Sequence, residues 1–187
     1  MTVREIKVID DPVLRRKAKK IDKITPETRK LIEDMIDTMR AAPGVGLAAP
    51  QVGSSERVIV VEYAEQDEKE ETAPAAPPKM KKLYAVINPE IVWTTDEIIE
   101  GTEGCLSIPG WTGDVLRHEA IVVKGLNRSG QRIKIKADNW LARIFQHEID
   151  HLDGILYIDR LIAPDRFRRL TQGDAETAAE KAAEAMG

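Results

Sequence analysis

Apolar positions follow a helical period in two places along the chain, with strand-like runs between them. Leu31, Ile32, Met35, Ile36 and Met39 recur at the intervals that put side chains on one helix face. Ahead of them, Thr25-Pro26-Glu27 supplies a cap, a first-turn proline and an acid, so an amphipathic helix is predicted over residues 26–40. The second stretch, residues 139–153, contains neither proline nor glycine; Asp138 stands at its cap and Gly154 where a left-handed terminator fits. Residues 57–63, 83–92, 98–100, 115–126, 132–137 and 155–162 read as strands, with Asn127-Arg128-Ser129-Gly130 as a hairpin turn. After Pro164 a last helix, rich in alanine and charge, is expected. Strands with few helices between them predict an α+β fold of antiparallel sheets, with an N-terminal, a central and a C-terminal helix.

Composition narrows this to a single domain over residues 1–187, enough chain to bury a core without staples. Acid, proline and lysine crowd residues 64–82, which read as a mobile insertion loop because neither flank could form a separate core. Residues 164–187 form the C-terminal helix or tail. With 28 Lys+Arg against 32 Asp+Glu, the net charge of −4 offers no global basic field for nucleic acid. The basic cluster at residues 15–20 reads as a solvated face. One cysteine excludes an internal disulfide and fits a reducing compartment. No apolar run long enough to span a membrane and no signal-peptide pattern is present, so a cytoplasmic protein is expected.

The chemistry concentrates in Gln146-His147-Glu148-Ile149-Asp150-His151. On a helix, four residues leave His147 and His151 about 40° and about 6 Å apart, so both imidazoles reach one metal ion. Glu148 lies near enough to that face to reach a water on the ion. Trp140 and Ile144 continue the same face as an apolar wall. The third ligand is open to two readings. Zincin-type peptidases take it from downstream, where Asp153, Asp159 and Asp165 lie at no recognisable spacing. Upstream, Cys105 sits in Glu103-Gly104-Cys105-Leu106-Ser107, and Gly44-Val45-Gly46-Leu47-Ala48-Ala49-Pro50-Gln51 offers small residues for a close backbone approach. The remaining histidine, His118, has no such context.

These three stretches, in this order and spacing, resemble the signature motifs of peptide deformylases. The resemblance extends through Asp11-Pro12-Val13-Leu14-Arg15, Asn88-Pro89 and Leu152-Asp153-Gly154, and covers residues 6–161. It implies antiparallel sheets around a central metal-bearing helix, and removal of the N-formyl group from the initiator methionine of nascent polypeptides, with release of formate. Cys105, His147 and His151 are the implied metal ligands, leaving a fourth position for the attacking water. Glu148 is the general base and acid, and Gln51 with the Leu106 N–H the oxyanion donors. Val45, Gly46 and Gly104 fall where the family contacts substrate; Arg143 falls at the rim of the methionine pocket and Ile144 on its wall. Arg117 is expected to pair with Asp150, and Glu103 to support a histidine from behind.

The implied cofactor is one divalent ion, Fe(II), with Zn(II), Ni(II) or Co(II) as substitutes. The implied partners are N-formyl-methionyl nascent peptides, without nucleic-acid specificity and without a membrane. In some family members a basic C-terminal helix docks on the ribosome; residues 165–187 here carry four Lys/Arg against five Asp/Glu, which gives that contact little electrostatic support. Thr112 stands where some members carry arginine. Two other readings remain: a zincin-like peptidase, and a non-catalytic metal-binding module, against which Glu148 and Gln51 argue.

Overall fold

The structure, a computed structural model, describes residues 2–63 and 81–170. In chain order its regular elements are α1 (Pro26–Ala41), β1 (Gly46–Ala48), β2 (Val58–Tyr63), β3 (Lys82–Thr94), β4 (Ile98–Cys105), β5 (Ile108–His118), β6 (Ala120–Leu126), β7 (Arg132–Asp138), α2 (Asn139–Leu152) and β8 (Phe167–Arg169). They form a five-stranded sheet in the order β1-β2-β3-β6-β7 and a three-stranded sheet β4-β5-β8, antiparallel throughout. The α+β class read from the sequence is the one observed.

Helix α1 begins as its sequence demands. The Thr25 hydroxyl accepts from the Thr28 N–H at 3.3 Å, and Thr28 accepts from the Thr25 N–H at 3.4 Å. Its periodic face, with Ile32, Met35 and Met39, packs on Val58, Val60 and Ile87 of the larger sheet. Helix α2 covers the opposite face of that sheet, where Ala142, Phe145, Ile149 and Leu152 meet Ile59, Val61, Val86, Ile121 and Val123. Alternate residues of β2 thus serve two cores, which is why its valines and isoleucine run without a polar interruption. A third cluster, Leu14, Ile108, Val115, Leu156 and Tyr157, lies on the smaller sheet. Since α2 touches β1, β2 and β7 on one side and β5 on the other, it is held between the two sheets.

Several boundaries differ from expectation. The run at 115–126 is two strands parted by Glu119, and they enter different sheets. No proline or glycine marks that crossing, so the two strands read as one run. The strand expected at 155–162 is a 3-10 turn, Tyr157–Arg160, with Leu161 alone bridging to Val115. The Asp159 carboxylate accepts from the Leu156 N–H at 2.8 Å, a local bond that curls the backbone away from extension. After Pro164 the chain makes the 3-10 turn Pro164–Arg166 and then strand β8 on the edge of β5, with Phe167 stacked on Trp111 at 4.6 Å. The expected C-terminal helix therefore does not begin at 164, and residues 171–187 lie outside the described residues, as does most of the insertion at 64–82. The Asp138 side chain makes no cap bond to α2; Asn139 enters the helix at φ 48°, a left-handed conformation that asparagine tolerates.

Replacing Thr25 with Ala removes the reciprocal cap of α1. Stability is expected to fall by about 1 kcal/mol, seen as a lower urea midpoint with an unchanged denaturant slope.

Candidate metal centre

The last residue of β4 and one face of α2 meet between the sheets. Cys105 Sγ lies 3.2 Å from His151 Nε2, which lies 3.2 Å from His147 Nε2. All three atoms are within 4.8 Å of one another, and this is the one such group of His, Cys, Asp and Glu among the described residues. A tetrahedral ion with nitrogen at about 2.0 Å and sulfur at about 2.3 Å would hold ligand atoms roughly 3.3–3.8 Å apart, so the donor set fits. The downstream acids stand elsewhere: Asp153 pairs with Arg57 at 2.7 Å and Asp159 with Arg15.

The orientation of His147 is set from behind. Its Nδ1 lies 2.8 Å from Glu103 Oε2; an ionised carboxylate can only accept, so Nδ1 carries a proton and Nε2 is the atom turned to the centre. Burial alone would raise the Glu103 carboxyl, but the hydrogen bonds of Arg117 and His147 hold it far below the usual range. Arg117 grips both Glu103 oxygens, at 2.8 and 2.9 Å, and reaches Asp150 at 2.6 Å. Asp150 in turn accepts two bonds from Arg160, at 2.6 and 2.7 Å. A chain of charge thus runs from a candidate ligand to a half-exposed arginine.

The pair of Cys105 and the histidines is polarised in the same way. Burial works to raise the thiol, yet the charge and hydrogen bonds of His151 and His147 bring it well below its ordinary value. Burial likewise works to lower His147, and the bonds to Cys105 and Glu103 raise it instead. The proton of the pair is thereby held on His147, beside a thiolate, and it is the proton that a divalent cation would displace on binding.

Glu148 lies against the centre without belonging to it. Burial pushes its carboxyl up to about 7, against the opposing pull of His147 and His151. Its Oε2 has no hydrogen-bond partner, and neither does His151 Nδ1. A Cβ on Gly46 would stand 2.4 Å from Glu148 Oε1, so β1 approaches the carboxylate as only glycine allows. Gln51 Oε1 accepts from the Ala48 N–H at 2.8 Å, and its Nε2 donates to Ser107 Oγ at 3.2 Å and toward Cys105 Sγ at 3.5 Å. Leu106 shares with Ser107 the two-residue turn between β4 and β5.

The residues expected to touch substrate divide. Val45 is exposed, Gly46 lies on the edge strand β1, and Gly104 lies on β4, the edge of the other sheet. Ile144 is buried in the core of α2. Arg143, expected at a pocket rim, is buried: its guanidinium donates to Ile99 O at 2.9 Å, Gly101 O at 3.2 Å and Glu103 Oε1 at 3.2 Å. A buried guanidinium must satisfy its donors locally, which turns it away from a rim. Trp140, expected on the apolar wall, is exposed, because the burial of α2 begins at Leu141. His118 stays apart, its Nδ1 on Thr95 O at 2.7 Å. Sequence reasoning missed the bracing role of Arg143, and it missed Arg160 and Ser107; each acts through a fold contact with no local pattern to announce it.

Glu103→Gln leaves Arg117 and Arg143 short of a charge and gives His147 a weaker acceptor. Metal affinity is expected to fall about 10- to 100-fold, measured by competition with a chelating indicator, while far-UV circular dichroism is retained.

The comparisons with known proteins agree on one family. The polypeptide deformylase family model matches residues 3–167. A peptide deformylase from Halothermothrix orenii is 50% identical over 163 residues, 87% of this chain and 96% of that protein. The crystal structure of peptide deformylase from Ehrlichia chaffeensis matches with a TM-score of 0.77 at 34% identity, covering 96% of this chain and 97% of that one. The class I type b peptide deformylase from Acinetobacter baumannii, in a crystal structure with Met-Ala-Ser bound, matches at 0.75 and 34%, covering 86% and 99%. The matched region contains every residue of the centre just described, and the chain belongs to the polypeptide deformylase family.

Proposed function

We propose that this protein hydrolyses the N-formyl group from the formyl-methionine that opens nascent polypeptides, releasing formate, and that it does so in the cytoplasm with Fe(II). The convergence of Cys105, His147 and His151 beside Glu148 carries the proposal. One sulfur and two nitrogens also accept Zn(II), Ni(II) or Co(II). When bound, such an ion lowers the pKa of water and polarises a carbonyl oxygen. No helix among the described residues is long and apolar enough to cross a membrane.

In this reading Glu148 takes a proton from the attacking water and passes one to the departing amine. A carboxyl pushed up to about 7 by burial suits both directions of transfer near neutral pH. The Gln51 amide and the Leu106 N–H donate to the oxyanion that develops on the formyl oxygen. Gln51 is pre-set for this, since the Ala48 N–H fixes its carbonyl end and so aims its nitrogen at the Cys105 side. Gly46 on β1, with Val45 just before it, and Gly104 on β4 offer two sheet edges between which an extended peptide can add as a strand. Ile144 lines the wall for the methionine side chain, and Arg143 holds β4 in place rather than meeting substrate. The Acinetobacter baumannii relative with Met-Ala-Ser bound holds a peptide that opens with methionine, which supports this substrate class. The peptidase reading needs a downstream ligand, and Asp153 and Asp159 are committed to arginines.

Protein purified without oxygen is expected to release formate from an N-formyl-methionyl peptide and to leave the unformylated peptide intact. Cleavage of the latter would indicate a peptidase, and no formate from fully metallated protein would overturn the proposal. Glu148→Gln is expected to retain the metal and to slow formate release about 100- to 10,000-fold. Gly46→Ala, which drives a methyl group into Glu148, is expected to cost roughly 100-fold in kcat at similar metal content; an unchanged rate would show that Glu148 needs no fixed position.

A further inference from the structure

The face of the five-stranded sheet that α2 does not cover is only partly covered by α1. Where α1 ends its reach, at the row Ile87–Leu126–Arg132, the outward residues turn from apolar to basic. Ile121, Val123, Ile135 and Ala137 point inward to α2, so Val122, Lys124, Lys134 and Lys136 point the other way. Register places Glu90, Lys124 and Lys134 in one cross-strand row, and Trp93, Val122 and Lys136 in the next. Lys124, Arg132, Lys134 and Lys136 are exposed, and Trp93 is 54% exposed. None of the four cations forms an ion pair among the described residues. On β3, β6 and β7 the acids are Glu90, opposite Lys124, and Asp138 at the end of β7, so cations outnumber acids on these strands in a chain of net charge −4.

Two features ask for a ligand. Lys124 and Lys134 sit directly opposite on neighbouring strands, a like-charge pair that costs stability and that Glu90, opposite Lys124 on β3, offsets from one side only. Beside them stands a large indole with half its surface in water. We propose that this face binds single-stranded RNA without sequence preference, the lysines holding the phosphate backbone and Trp93 stacking a base. Cations about 5 Å apart across strands and about 7 Å apart along them form a lattice on which an extended polyanion can lie. An aromatic face level with that lattice accepts any base. A lipid surface would call for an apolar cluster, and the large apolar groups exposed at this end of β3 are Trp93 and its neighbour Val92. The metal centre lies beyond the sheet on the α2 side, so this binding is independent of the hydrolytic reading.

The test is fluorescence anisotropy of a labelled oligouridylate of about 20 nucleotides, titrated with the metallated full chain at several salt concentrations. Wild type is expected to bind at low salt. The combined Lys124→Gln, Lys134→Gln, Lys136→Gln variant is expected to bind at least about tenfold more weakly, with the slope of log affinity on log salt reduced by about 2. Trp93→Ala is expected to lose about tenfold with the slope unchanged. Formate release from a short formyl peptide is expected to stay at the wild-type rate in both variants, which reports their folding. Should the triple variant lose that rate, Lys134→Gln, which relieves a like-charge pair, carries the test through its smaller slope. No binding by wild type, or unchanged binding by these variants, overturns the proposal. Capture by phosphatidylserine vesicles that RNA does not displace overturns it in favour of a lipid surface.

Discussion

Everything at the centre depends on Glu103, a carboxylate taken almost wholly out of water. Moving such a charge inward costs several kcal/mol, and removing one partner of a buried ion pair costs about 3–5 kcal/mol. Arg117, Arg143 and His147 all converge on it, so the cost is offset only when β4, β5 and α2 are in place together. The network adds little net stability by this reasoning. Its effect is orientation: one tautomer of His147, one position of β4, and hence one place for Cys105 two residues further along.

Helix α2 has to carry chemistry and core packing at once. From Leu141 to Leu152 every residue is buried, polar ones included. Apolar side chains face the larger sheet, whereas Arg143, His147, Asp150 and His151 make their polar bonds toward the smaller one. Gln146 closes the gap between the two by accepting from the His118 N–H and donating to the His118 carbonyl, at 3.1 and 2.9 Å. That residue sits beside the point where the chain crosses from one sheet to the other. The same helix thus fixes the angle between the sheets and the spacing of the ligands.

Much of this was legible in the sequence, and the exceptions have a common cause. The cap of α1, the helical spacing of His147 and His151 and the strands at 57–63 and 83–92 rest on local rules, and the structure keeps them. The ion pair of Arg117 with Asp150 and the support of a histidine by Glu103 were also anticipated, because a ligand helix needs partners behind it; the structure makes that histidine His147. The crossing at Glu119, the curl at Asp159 and the strand at Phe167 are decided by what lies across space. Arg143 illustrates the limit most clearly. The family resemblance put this charged residue at a pocket rim; in the fold four residues of the β4–β5 pair take up its donors.

Cys105 and His151 stand 46 residues apart, with β5, β6, β7 and nearly all of α2 between them. An ion held by both would close that whole length into a loop. For a flexible chain of this length, closure entropy amounts to about 3 kcal/mol, withdrawn from the unfolded ensemble rather than added to the native contacts. The ion is then a fastener as much as a reagent. Its departure would loosen the seam between the smaller sheet and the helix before any core residue moved, and the working life of the folded chain would be tied to the supply of a single trace element.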